Sequence, residues 1–99
     1  MTNYDVCVAF VNGSNNGCHS LNMRVNHDGS RLFSYGTCIA EKLSNGSIIV
    51  NETKYSVTTS KHQSNLRCAI SMHAKGITTH PTDKRVPRGT YDLTRYYSK

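Results

Sequence analysis

The first apolar run, YDVCVAFV at Tyr4–Val11, is hydrophobic on both alternating sets of positions and rich in valine. That pattern predicts a central strand covered on both faces. NGSNNG, Asn12–Gly17, reads as a loop, its glycines and asparagines suited to positive φ. Leu21, Met23 and Val25 then alternate with Asn22, Arg24 and Asn26, the signature of a half-buried strand. Asp28-Gly29 marks a hairpin turn. The returning segment, Arg31–Leu43, reads as one long strand, with Gly36 inside it as a bulge or bend. Asn45-Gly46 signals a second hairpin into Ser47–Val50. After a short turn near Asn51-Glu52, KYSVT places Tyr55 and Val57 on one strand face.

The period then changes. Leu66, Ala69, Ile70, His73 and Ala74 recur at helical spacing and predict an amphipathic helix over Lys61–Lys75. Ser60-Lys61-His62-Gln63 fits a capping box at its start, and Gly76 a stop at its end. Lys61, Ser64, Cys68, Ser71 and Lys75 fall on the outer face, with Arg67 at its margin. Beyond the helix, Pro81 and Pro87 interrupt regular structure. Asp83-Lys84-Arg85 and Arg88-Gly89 read as exposed loop, while Tyr91, Leu93, Tyr96 and Tyr97 supply apolar anchors for a closing strand or a frayed tail. The predicted fold class is α+β: a small twisted antiparallel sheet, a meander of about five strands, with one amphipathic helix packed on it. Residues 1–99 form a single domain, of which residues 77–99 are basic and partly loop-like.

Charge alters this picture by its placement. Residues 1–60 carry Arg24, Arg31, Lys42 and Lys54 against Asp5, Asp28, Glu41 and Glu52, and so are neutral overall. Residues 61–99 carry Lys61, Arg67, Lys75, Lys84, Arg85, Arg88, Arg95 and Lys99 against Asp83 and Asp92 only. The whole net charge of +6 is C-terminal. Such an asymmetry points to an anionic partner: nucleic acid, nucleoprotein or an acidic protein. The interleaving of Lys84, Arg85, Arg88 and Arg95 with Tyr91 and Tyr96 supplies both cations for phosphates and flat rings for bases. Lys61 and Arg67 extend the candidate binding set, Lys61 through its expected place at a helix N-terminus.

Enzymatic chemistry finds less support. His62-Gln63-Ser64 and His80-Pro81-Thr82 imitate paired H-x-S/T elements of two-histidine phosphoesterases, but only eighteen positions separate them. His62 and Cys68 would lie roughly 120° apart on a helix, which disfavours a metal site with His73. No phosphate-cradling glycine motif or nucleophile elbow occurs. No catalytic residue, metal or cofactor is implied. Cys7, Cys18, Cys38 and Cys68 are dispersed, with no Cys-x-x-Cys pair, and read as reduced structural thiols. With no leader-like start and no apolar run of the roughly 20 residues a bilayer requires, an intracellular protein without membrane contact is expected.

Leu32–Ile70 also resembles a segment recurring in small proteins encoded by phages and plasmids of Gram-positive bacteria. Its first motif, S-Y-x-T-x-I-A, is matched by Ser34, Tyr35, Thr37, Ile39 and Ala40. Its second, N-x-T-x-Y-S-x-T-T-S-K-H-Q, is matched by Asn51, Thr53, Tyr55, Ser56, Thr58, Thr59, Ser60, Lys61, His62 and Gln63. The resemblance implies a phage or mobile-element accessory protein and carries no catalytic residues. Proteins of that origin often inhibit or redirect host machinery, CRISPR effectors included. Direct inhibition of a host defence enzyme is therefore the alternative to nucleic-acid binding, and a small phosphodiester-processing enzyme is the third.

Overall fold

The computed structural model describes residues 1–74 and 76–98, and its first element corrects the sequence reading. Tyr4–Val11 is not a strand but lies within helix α1, Asn3–Asn12. Local capping explains the outcome. Thr2 Oγ1 accepts from the Asp5 amide at 3.1 Å, and Asp5 Oδ2 accepts from the Thr2 amide at 3.0 Å. That reciprocal pair satisfies two of the donors a helix start leaves open. Gly13, at φ 69, closes the other end in the left-handed conformation and donates to Ala9 and Phe10 carbonyls. Val6, Ala9 and Phe10, with Cys7 and Val11 beside them, form a broad buried face at helical spacing. The run is apolar almost all round because α1 packs against both the sheet and a second helix.

Five strands form one sheet in the order β1 (Met23–Val25), β2 (Arg31–Ser34), β3 (Thr37–Lys42), β4 (Ile48–Val50) and β5 (Thr79–Pro81). The first four make the antiparallel meander expected from the turn signals at Asp28-Gly29 and Asn45-Gly46. β5 departs from that pattern by pairing parallel to β4. The sheet is therefore mixed, because the chain reaches β5 through a helical crossover rather than a tight turn. Leu21, expected in the first strand, lies outside it and is exposed.

The expected long strand Arg31–Leu43 is two strands. Tyr35 and Gly36 form the turn between paired Ser34 and Thr37, with Tyr35 at φ 57. The bend expected at Gly36 is this turn, and a bulge lies separately at Ile39, skipped where Leu32 pairs with Ala40 and Phe33 with Cys38. This bulge lets consecutive residues Ile39 and Ala40 both join the core under the helices.

KYSVT is not a strand either. Helix α2 runs over Val57–His73 and starts four residues before the expected Lys61. Ser56, not Ser60, caps it, its Oγ accepting from the Thr59 amide at 3.2 Å. Gln63 is buried inside the helix, and its Nε2 donates to the carbonyls of Asn51 at 2.8 Å and Thr53 at 2.9 Å. With its side chain spent on those two carbonyls, Gln63 does not reach back to the Ser60 amide, which donates to the Ser56 carbonyl within the helix. Leu66, Ala69 and Ala74 are buried as expected and Ile70 partly so, but His73 is exposed rather than in the core. Lys75 lies outside the described residues.

The helices cover one sheet face, where Val6, Phe10, Leu66 and Ala69 meet Leu32, Ile39, Ile48 and Val50. The opposite face presents Phe33, Cys38 and Ile49, which are closed over by Val86 and Leu93. Residues 82–98, with little regular structure, act as a strap across that second face. Of the two alternatives, closing strand or frayed tail, neither describes residues 82–98: they are a packed layer with no strand beyond Pro81.

Candidate functional site

The strap is held by single hydrogen bonds to scattered points of the sheet. Thr82 donates to Val50 O at 2.9 Å, which continues the β5 ladder by one bond. The Val86 amide donates to Thr53 Oγ1 at 2.9 Å, and Tyr55 Oη donates to the Val86 carbonyl. The Gly89 amide donates to Thr37 Oγ1 at 2.9 Å, while Cys38 donates to Thr90 O at 2.9 Å. Glu41, buried on the strap side, accepts from the Leu93 amide at 2.9 Å and pairs with Arg31 Nη2 at 3.3 Å. Buried Val86 and Leu93 add apolar closure between these pins.

Between the pins, Lys84, Arg85, Arg88 and Arg95 project from the strap and are exposed. Arg88 lies over the Tyr55 ring, 5.5 Å from its centroid. Among the described residues, no carboxylate comes within salt-bridge distance of these four cations. The acids are engaged elsewhere. Asp5 caps α1, Asp28 accepts from Ser30, Asp92 accepts from Thr94, and Asp83 accepts from Ser98 Oγ. Glu41 holds Arg31, and Glu52 meets Arg67 at 3.7 Å. Hydrogen bonds from Ser30 to Asp28 and from Thr94 to Asp92 hold both carboxyls below the usual range, so they stay ionised where they are already satisfied.

Two further cations come from the electrically neutral first sixty residues. Arg24 sits over the Phe33 ring at 4.1 Å, and Arg31 over the Tyr91 ring at 4.2 Å. Phe33 and Tyr91 are 5.5 Å apart. Arg24, Phe33, Tyr91 and Arg31 thus form a continuous cation–aromatic row on the strap face. Summed charge along the sequence misses this, since the first sixty residues carry as many acids as bases, although among the described residues only Arg31 of the two is paired in space, with Glu41. The signal was in the register: a hairpin turning at Asp28-Gly29 sets Arg24 opposite Phe33.

The sequence-derived binding set divides accordingly. Lys84, Arg85, Arg88, Arg95 and Tyr91 share the strap, with Tyr91 55% exposed. Tyr96 belongs to the strap but is partly buried against its apolar core. Lys61 and Arg67 stand on α2, which packs on the other sheet face, so they are not brought into this surface. Because α2 starts at Val57, Lys61 is a full turn inside the helix and does not add to its N-terminal anion site. Arg67 is already opposite Glu52.

The two H-x-S/T histidines are also separated. His62 is buried beneath α2, with Nδ1 2.6 Å from Ser34 Oγ. His80 pairs in register with Ile49 on the strap side and stacks on Tyr97 at 5.2 Å. The sheet stands between them, and one phosphodiester cannot reach both. Burial lowers the His62 pKa below its ordinary value, so its imidazole is neutral at pH 7. His73 and Cys68 are exposed on α2 while His62 is buried, and no cluster of three metal-ligating side chains occurs among the described residues. Cys7, Cys18 and Cys38 are buried and free, as is exposed Cys68. Burial pushes the Cys7 and Cys38 thiols up to about 12, far from the thiolate form a nucleophile needs. No helix among the described residues is long and apolar enough to cross a membrane.

A family model described as a family of unknown function (DUF8033) matches residues 5–84, most of the chain but only the start of the strap. No curated protein matches the chain, and no solved structure does.

Proposed function

The chain belongs to that family of unknown function, and we propose that it is a non-enzymatic binding module whose strap face docks on nucleic acid, free or within a nucleoprotein complex. One observation carries the reading. Lys84, Arg85, Arg88 and Arg95 are exposed without a carboxylate partner among the described residues, on a segment pinned in place by bonds to Thr37, Glu41 and Thr53. A main chain already pinned does not have to be ordered on binding, and a polyanion releases counterions when the cations neutralise its phosphates. Arg24 adds to the same face. The phage-like segment suggests the setting, an accessory protein acting in the cytoplasm of a bacterial host.

Reversing Lys84, Arg85 and Arg88 together to glutamate tests this. Lys84, Arg85 and Arg88 are all exposed, and the Tyr55 ring under Arg88 keeps its own bond to the Val86 carbonyl, so the variant should keep the wild-type circular dichroism spectrum. Binding to single- or double-stranded nucleic acid should be lost, and the wild-type log–log salt slope should be steep. A variant that binds as the wild type does would sink the proposal. The rival reading, direct inhibition of a host defence enzyme, predicts a different result in a host-lysate pull-down. There, one host protein would be recovered regardless of nuclease treatment, with no affinity for purified nucleic acid.

A further inference from the structure

Resting on that reading, we infer that the strap face is selective for single-stranded nucleic acid, with the exposed ring of Tyr91 as the platform for an unpaired base. A duplex keeps its base faces stacked on one another, so an aromatic ring finds no base face to stack on and cations carry the contact. A single strand offers its bases, and an exposed, rigidly held ring beside cations is the feature that takes them.

Tyr91 has that character. Its ring is backed on one side by the Arg31 guanidinium at 4.2 Å, and Phe33 lies against it at 5.5 Å. Arg31 is itself fixed by Glu41, so the backing is not a loose surface contact. The main chain is pinned on either side, by the bond from Cys38 to Thr90 O and the bond from Leu93 to Glu41. Yet Tyr91 remains 55% exposed, so much of its ring stays accessible to a ligand. Arg24, exposed at the far end of the row, offers a cation to the phosphates of a strand stacked on Tyr91. The remaining strap cations extend the track along the backbone.

The test compares a short oligothymidylate with a duplex matched for phosphate number, both at low salt, using wild type, Tyr91→Leu and Tyr91→Phe. Leucine fills much of the same space but has no π-face; phenylalanine keeps the ring. The wild type should prefer the single strand. Tyr91→Leu should weaken single-strand binding by about five- to a hundredfold, the range of one lost base stack, and leave duplex affinity and the salt slope unchanged. Tyr91→Phe should bind as the wild type does. A 2-aminopurine placed in the oligonucleotide should be quenched by wild type and Tyr91→Phe, and not by Tyr91→Leu. Equal affinity for strand and duplex, both indifferent to Tyr91→Leu, would overturn the stacking site and leave the cationic interface standing. Absence of binding to either probe would overturn both.

Discussion

On one face of the sheet, Val6, Phe10, Leu66 and Ala69 from two helices meet Leu32, Ile39 and Ile48 in an apolar layer. On the other, only Val86 and Leu93 reach Phe33, Cys38 and Ile49 at full burial, and hydrogen bonds to Thr37, Glu41 and Thr53 do the rest. The first face is closed by area removed from water, the second by directional bonds made one at a time. A surface of the second kind can carry many exposed cations, since its order does not depend on a wide apolar stripe. That arrangement leaves Lys84, Arg85, Arg88 and Arg95 available to a partner.

The sharpest way to break this comparison is to delete one large side chain from the helix-covered face. Phe10→Ala should cost about 3–5 kcal/mol, since Phe10 is fully buried between α1 and the sheet. Chemical denaturation should show a single transition at a much lower midpoint. A loss under 1 kcal/mol would mean that this face is not the dominant core.

A smaller effect is expected from the strap's polar closure. Glu41→Ala removes the acceptor of the Leu93 amide and the partner of Arg31, and should cost about 2 kcal/mol. Its signature should be local. Amide exchange at Cys38, Gly89 and Leu93 should accelerate well before exchange at α1 does. Uniform acceleration across the chain would show that strap and helices unfold as one unit.

The smallest effect separates the faces by pH. His62, buried on the helix-covered side, has its pKa lowered by burial from the ordinary 6.5. Below that value the unfolded chain binds a proton that the folded chain resists. Stability present above pH 6.5 should therefore fall as pH drops towards the folded pKa. His62→Gln should flatten the dependence of the denaturation midpoint between pH 7 and 5. An unchanged profile would mean that His62 is protonated as readily in the fold as in the open chain.

What the sequence disclosed follows the same division. The hairpins at Asp28-Gly29 and Asn45-Gly46 were legible, because two adjacent residues determine the turn. The buried stripe through Leu66 and Ala69 was legible from its period. Tyr4–Val11 was misread because a run apolar on every side fits a buried strand and a buried helix equally well. The deciding evidence was polar and local, in Thr2, Asp5 and Gly13, at its two ends. The strap cations could be named from charge alone. Arg24 and Arg31 could not, since their membership depends on strand register. Nor could the pairing of Glu41 with Leu93, which no local pattern encodes.

The strap's pins also set an order of assembly. The bonds from Gly89 to Thr37 and from Leu93 to Glu41 each span 52 residues of chain. Closing so long a loop carries a larger entropic cost than closing either hairpin, and its rewards come only once β3 exists to receive them. On a ribosome, Thr37 and Glu41 emerge well before Gly89 and Leu93 are made. The helix-covered body can therefore condense first, and the cationic layer lands last on a surface already built. A chain truncated within the strap would lose the binding face and bare Phe33, Cys38 and Ile49, while leaving the helix-covered layer intact.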